Sequence, residues 1–225
     1  MKKSLSAIAI VLFALSLNTC TKPNETAETK GIDASRLQKQ DGLYYERRAS
    51  DPFTGKAVKY YPDRKKQKET HYKDGIQDGL QVRWYKNEQK RDEGLLKDGE
   101  KDGLWTTWYE SGEKHQEANF FGGKENGLKV YWHKNGVKGA EGNYKEGKAE
   151  GPSVIWHENG QKRFEGSWKD GKKHGSWVEW DEKGRKRAVA NYKNGIPHGL
   201  WEGWTKRGRK TTRAFTRTGN WWNSV

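Results

Sequence analysis

Aromatic, apolar and basic residues return at fixed places in a period of 24 residues along most of this chain. A glycine opens each period, at Gly55, Gly79, Gly103, Gly127, Gly151, Gly175 and Gly199. With this glycine as position 1, position 6 is aromatic: Tyr60, Trp84, Trp108, Trp132, Trp156, Trp180 and Trp204. Position 12 is always lysine: Lys66, Lys90, Lys114, Lys138, Lys162, Lys186 and Lys210. A constant period without insertions predicts seven tandem structural units.

Each period contains two glycine turns separated by strand-length segments. Segments such as Glu158-Asn159-Gly160 and Lys169-Asp170-Gly171 are typical of tight hairpins, in which glycine supplies a positive φ. If both turns are three-residue loops, even positions pair with even positions. Trp at position 6 then shares a face with the mostly aromatic position 18, whereas two-residue loops would separate them. The pattern predicts an all-β fold: an elongated single-layer antiparallel β-meander of tandem 24-residue hairpins.

The two ends of the array depart from the period. Residues 55–222 are assigned to the seven repeats and residues 223–225 to a tail. The preceding residues 41–54 contain Asp51-Pro52-Phe53-Thr54 and are expected to form an N-terminal cap, while Trp221 and Trp222 close the last unit. A unit of this size cannot fold alone, so stacking between units and capping of the ends must stabilise the array.

The N-terminus has the pattern of an export signal. Lys2 and Lys3 precede an uncharged apolar run, Ser4 to Leu17, which is too short to span a bilayer. Leu17-Asn18-Thr19-Cys20 resembles a bacterial lipobox, which implies cleavage after residue 19 and lipidation of Cys20, the one cysteine of the chain. The alternative is an ordinary secretory signal with an incidental cysteine. Residues 20–40 are expected to be a lipidated flexible tether, and the protein to be anchored in the cell envelope, at the outer membrane or cell surface rather than the inner membrane.

The charge balance favours acidic partners. The chain is 31% hydrophobic and 33% charged, with a formal net charge of +14. Loss of residues 1–19 removes only Lys2 and Lys3, which leaves 42 basic against 30 acidic residues, or +12. Anionic lipid, polyanionic glycan and acidic protein all fit this charge. Nucleic acid fits it as well, but an export signal argues against that partner.

The repeat resembles a known family. Gly-Leu-x-x-x-Trp-Tyr-x-x-x-Gly, followed by Tyr-Lys-x-Gly-x-x-x-Gly, is similar to the MORN-type repeat in the variant found in bacterial YwqK-like antitoxin proteins. The opening from Gly42-Leu43-Tyr44-Tyr45 to Pro52-Phe53-Thr54-Gly55 resembles the start of those proteins. The resemblance implies a single-layer antiparallel sheet used for association with proteins or membranes.

Two rows of side chains are the candidate binding residues. The tryptophans Trp84, Trp108, Trp132, Trp156, Trp180 and Trp204 are either core residues or a ladder on which sugars stack. The lysines Lys90, Lys114, Lys138, Lys162, Lys186 and Lys210 either pack their stems over these rings or form a cationic row for a polyanion. Equivalent strands lie about 9.5 Å apart, so such a row would be regular but not dense.

No residues point to catalysis, a cofactor or a metal. His133 with His157, and His174 with His198, recur one period apart, too far for one zinc ion to contact both. The glutamates at position 15, from Glu69 to Glu165, are interpreted as a salt-bridged solvent face. We therefore expect a lipid-anchored binding scaffold for a protein or an anionic envelope component, with a toxin-neutralising protein as the alternative.

Overall fold

The chain forms β-strands over nearly all of its described length. The structure, a computed structural model, describes residues 31–215 and 221–223. The strands are β1 (Ile32–Asp33), β2 (Leu37–Gln40), β3 (Leu43–Glu46), β4 (Gly55–Tyr60), β5 (Lys66–Lys73), β6 (Ile76–Trp84), β7 (Lys90–Lys97), β8 (Glu100–Trp108), β9 (Lys114–Phe121), β10 (Lys124–Trp132), β11 (Lys138–Lys145), β12 (Lys148–Trp156), β13 (Lys162–Lys169), β14 (Lys172–Trp180), β15 (Lys186–Lys193), β16 (Ile196–Trp204), β17 (Lys210–Phe215) and β18 (Trp221–Asn223). One 3-10 turn, Ala34–Arg36, separates β1 from β2.

Sixteen of these strands make one continuous sheet. Strands β4 to β18 follow one another in chain order, and each is antiparallel to its neighbour. Strand β1 pairs in parallel with β4, and β2 and β3 form a separate hairpin. The predicted all-β, single-layer meander of tandem hairpins is therefore confirmed.

The first turn of each unit is the predicted three-residue loop. In the second unit the Tyr85 amide donates to the Gln89 carbonyl at 2.9 Å, and the Glu88 amide donates to the Tyr85 carbonyl at 3.1 Å. Glu88 has φ 67°, and glycine occupies this left-handed position in the later units, as at Gly160 with φ 82°. This is a type I turn followed by a left-handed bulge residue.

The second turn is shorter than predicted. Lys97 pairs directly with Glu100, and the two intervening residues, Asp98 and Gly99, have φ of 51° and 83°. Two consecutive positive φ values define the two-residue type I′ turn. The prediction of a three-residue loop here was wrong.

A bulge near position 13 changes the pairing a second time. Trp108 pairs with Lys114, but the next pair is Thr107 with Gln116, so His115 is the additional residue. Beyond the bulge, odd positions pair with even ones, and the prediction of even-to-even pairing throughout fails. A bulge adds one residue to a strand and reverses which side chains share a face.

The resulting sheet has two distinct faces. One face, which we name the ladder face, carries positions 2, 4, 6, 12, 15, 17, 19 and 22. The other, the core face, carries positions 3, 5, 14, 16, 18 and 23. Trp at position 6 and the aromatic at position 18 thus lie on opposite faces, contrary to the register predicted above. Most of the buried apolar residues lie on the core face: Ala57, Tyr72, Leu96, Trp105, Ala118, Trp177 and Ala190.

The folded part begins before the boundary expected at residue 41. Residues 31–40, assigned above to the end of the tether, contain β1, the 3-10 turn and β2. Beyond them, the rings of Tyr44 and Phe53 lie 5.1 Å and 5.6 Å from the ring of Tyr72. These two side chains cover the first unit. The export signal, Cys20 and the first part of the tether lie outside the described residues. Within 31–215 and 221–223, no helix has the length and apolarity to cross a membrane.

Candidate functional site

The tryptophan and lysine rows meet on the ladder face. Each lysine ammonium lies over the indole of the following unit, at 5.1–5.9 Å from the ring centroid. The pairs are Lys66 with Trp84, Lys90 with Trp108, Lys114 with Trp132, Lys138 with Trp156, Lys162 with Trp180, and Lys186 with Trp204. Lys210 lies 5.8 Å over Trp204 of its own unit. The ammonium groups are within the range of cation–π attraction, so the row links neighbouring units.

Most of these lysines are also paired with a carboxylate. The bulge places position 12 beside position 15 on the same face, and the ammonium lies 2.5–3.1 Å from the glutamate. These pairs are Lys66–Glu69, Lys90–Glu93, Lys114–Glu117, Lys138–Glu141 and Lys162–Glu165, and Lys210 pairs with Glu202 at 2.5 Å. Because six of the seven charges have an adjacent carboxylate, and Lys186 alone has none among the described residues, this row is poorly suited to hold a polyanion.

The tryptophans of the ladder are half-buried, and the deepest ring belongs to another position. Trp105 is 2% exposed and Trp177 is 5% exposed, both at position 3 on the core face. Sequence reasoning did not single out these two residues. The available signal was a glycine eleven residues earlier in each case, Gly94 and Gly166, since a ring that packs flat on a strand needs a neighbour without a Cβ.

A group of exposed apolar side chains lies on the ladder face near the second turns. We name it the apolar patch; it comprises Leu80, Leu95, Leu104, Phe121 and Leu128 on strands β6 to β10. These side chains are 41–68% exposed. Leu80 and Leu95 are directly opposite each other on neighbouring strands. Asn119 lies directly opposite Leu104 and interrupts this group. A cluster of exposed apolar side chains on an otherwise highly charged protein indicates an interaction surface.

The same margin of the ladder face, which already carries Lys97 and Lys124 beside the apolar patch, is most basic on the following strands. We name this group the lysine edge; it comprises Lys145, Lys148, Lys169, Lys172 and Lys193 on strands β11 to β15. Lys145 is directly opposite Lys148, and Lys169 is directly opposite Lys172. No ion pair involves these five lysines in the part of the chain that the structure describes. Like charges in direct cross-strand pairs are destabilising, so the edge is not explained by folding alone.

The side chains at position 7 form a series of hydrogen bonds to the backbone of the following unit, and these bonds hold the units together. The Tyr109 hydroxyl donates to the Trp132 carbonyl at 2.8 Å, and imidazole nitrogens of His133 and His157 hydrogen-bond to the Trp156 and Trp180 carbonyls at 3.0 Å. Burial, followed by the hydrogen bond with Tyr131, raises the pKa of Tyr109 to about 12. His174 and His198 lie on β14 and β16. In residues 31–215 and 221–223, no group of three or more metal-ligating side chains occurs.

His115 is expected to make the stability of the central units sensitive to acid. Its ring lies between Tyr109 at 4.5 Å and Tyr131 at 5.3 Å, and burial lowers the pKa of His115 below 6.5. The fold therefore favours the neutral ring, while the unfolded chain binds a proton as the pH falls below 6.5. We expect this contribution to be complete above pH 6.5 and to be lost as the pH falls toward the folded-state pKa.

Thermal unfolding of the wild type and of His115→Gln, at about pH 7.5 and about pH 5.5, tests this effect. Glutamine keeps a polar side chain of similar length but does not titrate. The wild type should lose more stability on acidification than the variant does. Equal losses would show that His115 does not contribute to the pH dependence.

Comparison with known families identifies the repeat. Residues 101–121 and 149–170 each match the family model described as "MORN repeat variant". Both matches begin at position 23 of the period, and their starts are 48 residues, or two periods, apart. The chain carries MORN-type repeats. Because the other units keep the same turns and pairing, the MORN-type geometry extends along the sheet.

Solved structures and curated proteins do not extend the assignment beyond MORN-type repeats. The chain is similar to part of a structure titled "Crystal structure of GtfA/B complex bound to UDP and GlcNAc", with 12% identity and a TM-score of 0.21. The similarity covers 48% of this chain and 21% of that chain. No curated protein matches the MORN-type chain.

Proposed function

We propose that the MORN-type sheet is a binding scaffold whose ladder face docks on an anionic lipid surface of the cell envelope. MORN repeats commonly mediate binding to proteins or membranes. The observation that favours a membrane is the apolar patch beside the lysine edge, on one margin of one face. Lipidated Cys20 would hold the sheet near the same surface.

The two groups supply complementary parts of such an interaction. A peripheral protein binds a bilayer by burying apolar side chains at the boundary between headgroups and acyl chains, and by attracting anionic headgroups with lysine. Leu104 and Phe121 are 51% and 68% exposed, so both have apolar area left to bury. Each lysine near an anionic surface contributes roughly 1 kcal/mol.

Sedimentation with lipid vesicles tests the proposal. The mature chain, residues 20–225 with Cys20→Ser, lacks both the apolar export signal and any acyl anchor. It is mixed with vesicles of phosphatidylcholine alone or with added phosphatidylglycerol, at low and high salt. We expect binding to the anionic vesicles, weakening as salt rises, and little binding to the neutral ones. Absence of binding to either would reject the lipid proposal and favour a protein or glycan partner.

The apolar patch should determine the binding that survives high salt. Replacing Leu104 and Leu128 with serine removes apolar area from the patch without changing charge. We expect weaker vesicle binding at every salt concentration, because the loss is hydrophobic and is not screened. The variant with methionine at both positions is the control and should bind like the parent. If the serine variant also binds like the parent, the patch does not enter the lipid.

The anchor itself is tested separately. Cys20→Ala should abolish incorporation of labelled lipid while leaving the sheet folded, because Cys20 precedes the first strand by more than ten residues. Incorporation is measured in cells that express each protein, and folding by the circular dichroism of the purified chain. If the wild-type chain takes up no lipid, the lipoprotein prediction is wrong.

A further inference from the structure

On the core face, glycine at position 16 provides a flat surface on which a tryptophan from the following strand can pack. In one unit this glycine is present but the tryptophan is not. Glycine occupies position 16 on β7, β11 and β13, at Gly94, Gly142 and Gly166. None of the three has a positive φ, so the backbone does not require glycine there. Glycine inside a strand costs about 0.5–1 kcal/mol relative to alanine, which calls for a reason in packing.

Two of these glycines carry an indole ring from the following strand. A Cβ on Gly94 would lie 2.4 Å from the Trp105 ring, and a Cβ on Gly166 would lie 2.3 Å from the Trp177 ring. The Trp105 indole N–H donates to the Leu95 carbonyl at 2.9 Å, and the Trp177 indole N–H donates to the Ser167 carbonyl at 3.0 Å. Both rings are thus held by the same two contacts: packing against the glycine, and a hydrogen bond to the carbonyl of the residue that follows it.

A lysine closes each of these two sites. The Lys101 ammonium lies 4.3 Å from the centroid of Trp105, and the Lys173 ammonium lies 4.4 Å from that of Trp177. Both lysines occupy position 23, four residues before the tryptophan. Glycine, carbonyl and lysine together surround an indole in each case.

The third glycine has neither the ring nor a lysine at position 23. The lysine that lines its site is Lys129, whose ammonium lies 5.0 Å from the centroid of Tyr144. Ser153 stands where Trp105 and Trp177 stand in their units, and Ala149 stands where the lysines stand. A Cβ on Gly142 would meet only Ser153 within 3.4 Å, and the Ser153 hydroxyl donates to the Glu141 carbonyl. A half-open cavity of about 230 Å³ results, lined among others by Gly142, Asn143, Tyr144, Ala149, Ser153 and Trp168.

We infer that this cavity binds a small planar aromatic molecule that carries an N–H donor, with indole as the model. The ring would lie on Gly142 and donate to the carbonyl of Asn143, the residue equivalent to Leu95 and Ser167. Tyr144 and Trp168 would contact it as aromatic walls. The chain itself provides two filled examples of the same site, so the size and orientation of the occupant are taken from its own residues.

The volume favours a two-ring ligand over a single ring. An apolar cavity of about 150 Å³ binds benzene. The present cavity, at about 230 Å³, has room for a second fused ring. The site lies on the core face, away from the apolar patch and the lysine edge, and is independent of lipid binding.

Fluorine NMR of 5-fluoroindole tests this inference without interference from the twelve tryptophans of the chain. The signal of the ligand should broaden on addition of the full chain. Ser153→Trp should fill the cavity with the side chain that other units use at this position, raising the melting temperature and weakening ligand binding by at least about tenfold. Leu200→Trp adds an indole at position 2 of the last unit, on the ladder face and outside the apolar patch, and is the matched control; it should leave binding unchanged.

One further variant and two further ligands test the outcomes that Ser153→Trp leaves open. Gly142→Ala places a methyl group on the platform and should also weaken binding, so it decides the matter if Ser153→Trp does not fold. 5-Fluoro-1-methylindole, which lacks the donor, should bind more weakly than 5-fluoroindole. The inference is overturned if the wild type does not broaden the signal, or if both cavity variants bind like the wild type. Tighter binding of N-acetyltryptophanamide than of indole would overturn the assignment to a free molecule.

Discussion

Replacing Trp105 with alanine is expected to lower the free energy of unfolding by about 3–5 kcal/mol. The ring is 2% exposed, rests on Gly94 and donates its N–H to the Leu95 carbonyl at 2.9 Å. Removal therefore leaves a cavity beside a glycine that cannot fill it. It also takes away the ring that the Lys101 ammonium covers. Chemical denaturation followed by circular dichroism measures the change.

Trp132→Ala is the comparison that separates the core from the ladder. Trp132 occupies position 6, is half-buried, and lies 5.1 Å below the Lys114 ammonium. We expect its loss to cost no more than about 2 kcal/mol, because less apolar area is returned to water. If Trp132→Ala destabilises the chain as much as Trp105→Ala does, the assignment of the core to position 3 is wrong.

Replacing Lys145, Lys148, Lys169 and Lys172 with glutamine is expected to weaken binding to anionic vesicles by roughly a hundredfold to a thousandfold. The estimate takes about 1 kcal/mol for each lysine near the surface. The same change should leave the fold as stable as before or more so, since it removes two directly opposed pairs of like charges. Vesicle sedimentation and chemical denaturation measure the two effects, which have opposite signs.

The matched control removes the same number of charges from the lysine row. Lys90, Lys114, Lys138 and Lys162 are each paired with a glutamate on the same strand. They lie about seven residues along the strand from the edge, or roughly 23 Å, which exceeds a Debye length of about 8 Å. Their replacement by glutamine should change vesicle binding much less. Equal weakening by both sets would show that only total charge matters and that the lysine edge has no special role.

The architecture could be predicted from sequence because the period alone determines it. Seven glycines at constant spacing require identical units, and a turn every ten to fourteen residues leaves only strand-length segments between the turns. The first turn was also predictable in length. These features depend on local residues such as Asn159-Gly160, which specify a hairpin wherever they occur.

The register could not be predicted because the same residues form two different turns. Asn135-Gly136 lies in a three-residue loop, whereas Asn194-Gly195 is a two-residue type I′ turn. Contacts outside the turn accompany the difference: Asn135 donates its side-chain amide to the Glu158 carbonyl of the next unit at 2.7 Å. The bulge at position 13 has no local signal of its own, since residues as different as Arg91 and His115 occupy it.

The candidate surface was missed because it depends on that register. With even positions all on one face, Trp132 is expected with the aromatic at position 18, and Leu80 and Leu95, at positions 2 and 17, are expected on opposite faces. The observed pairing instead brings Leu104, Phe121 and the lysine edge to the same margin. The lysines lie over the tryptophan rings, which was one of the two alternatives that the sequence left open, and most of their charges are paired with glutamates within the sheet.

The proposed orientation of the sheet on a membrane is tested most directly by depth measurements on one strand. Gln116 and Phe121 both lie on β9 but face opposite sides of the sheet. Each is replaced in turn by cysteine in the Cys20→Ser chain and labelled with an environment-sensitive fluorophore. The chain is then mixed with anionic vesicles that contain a spin-labelled lipid. We expect strong quenching at position 121 and little at position 116; equal quenching, or stronger quenching at 116, would contradict docking through the ladder face.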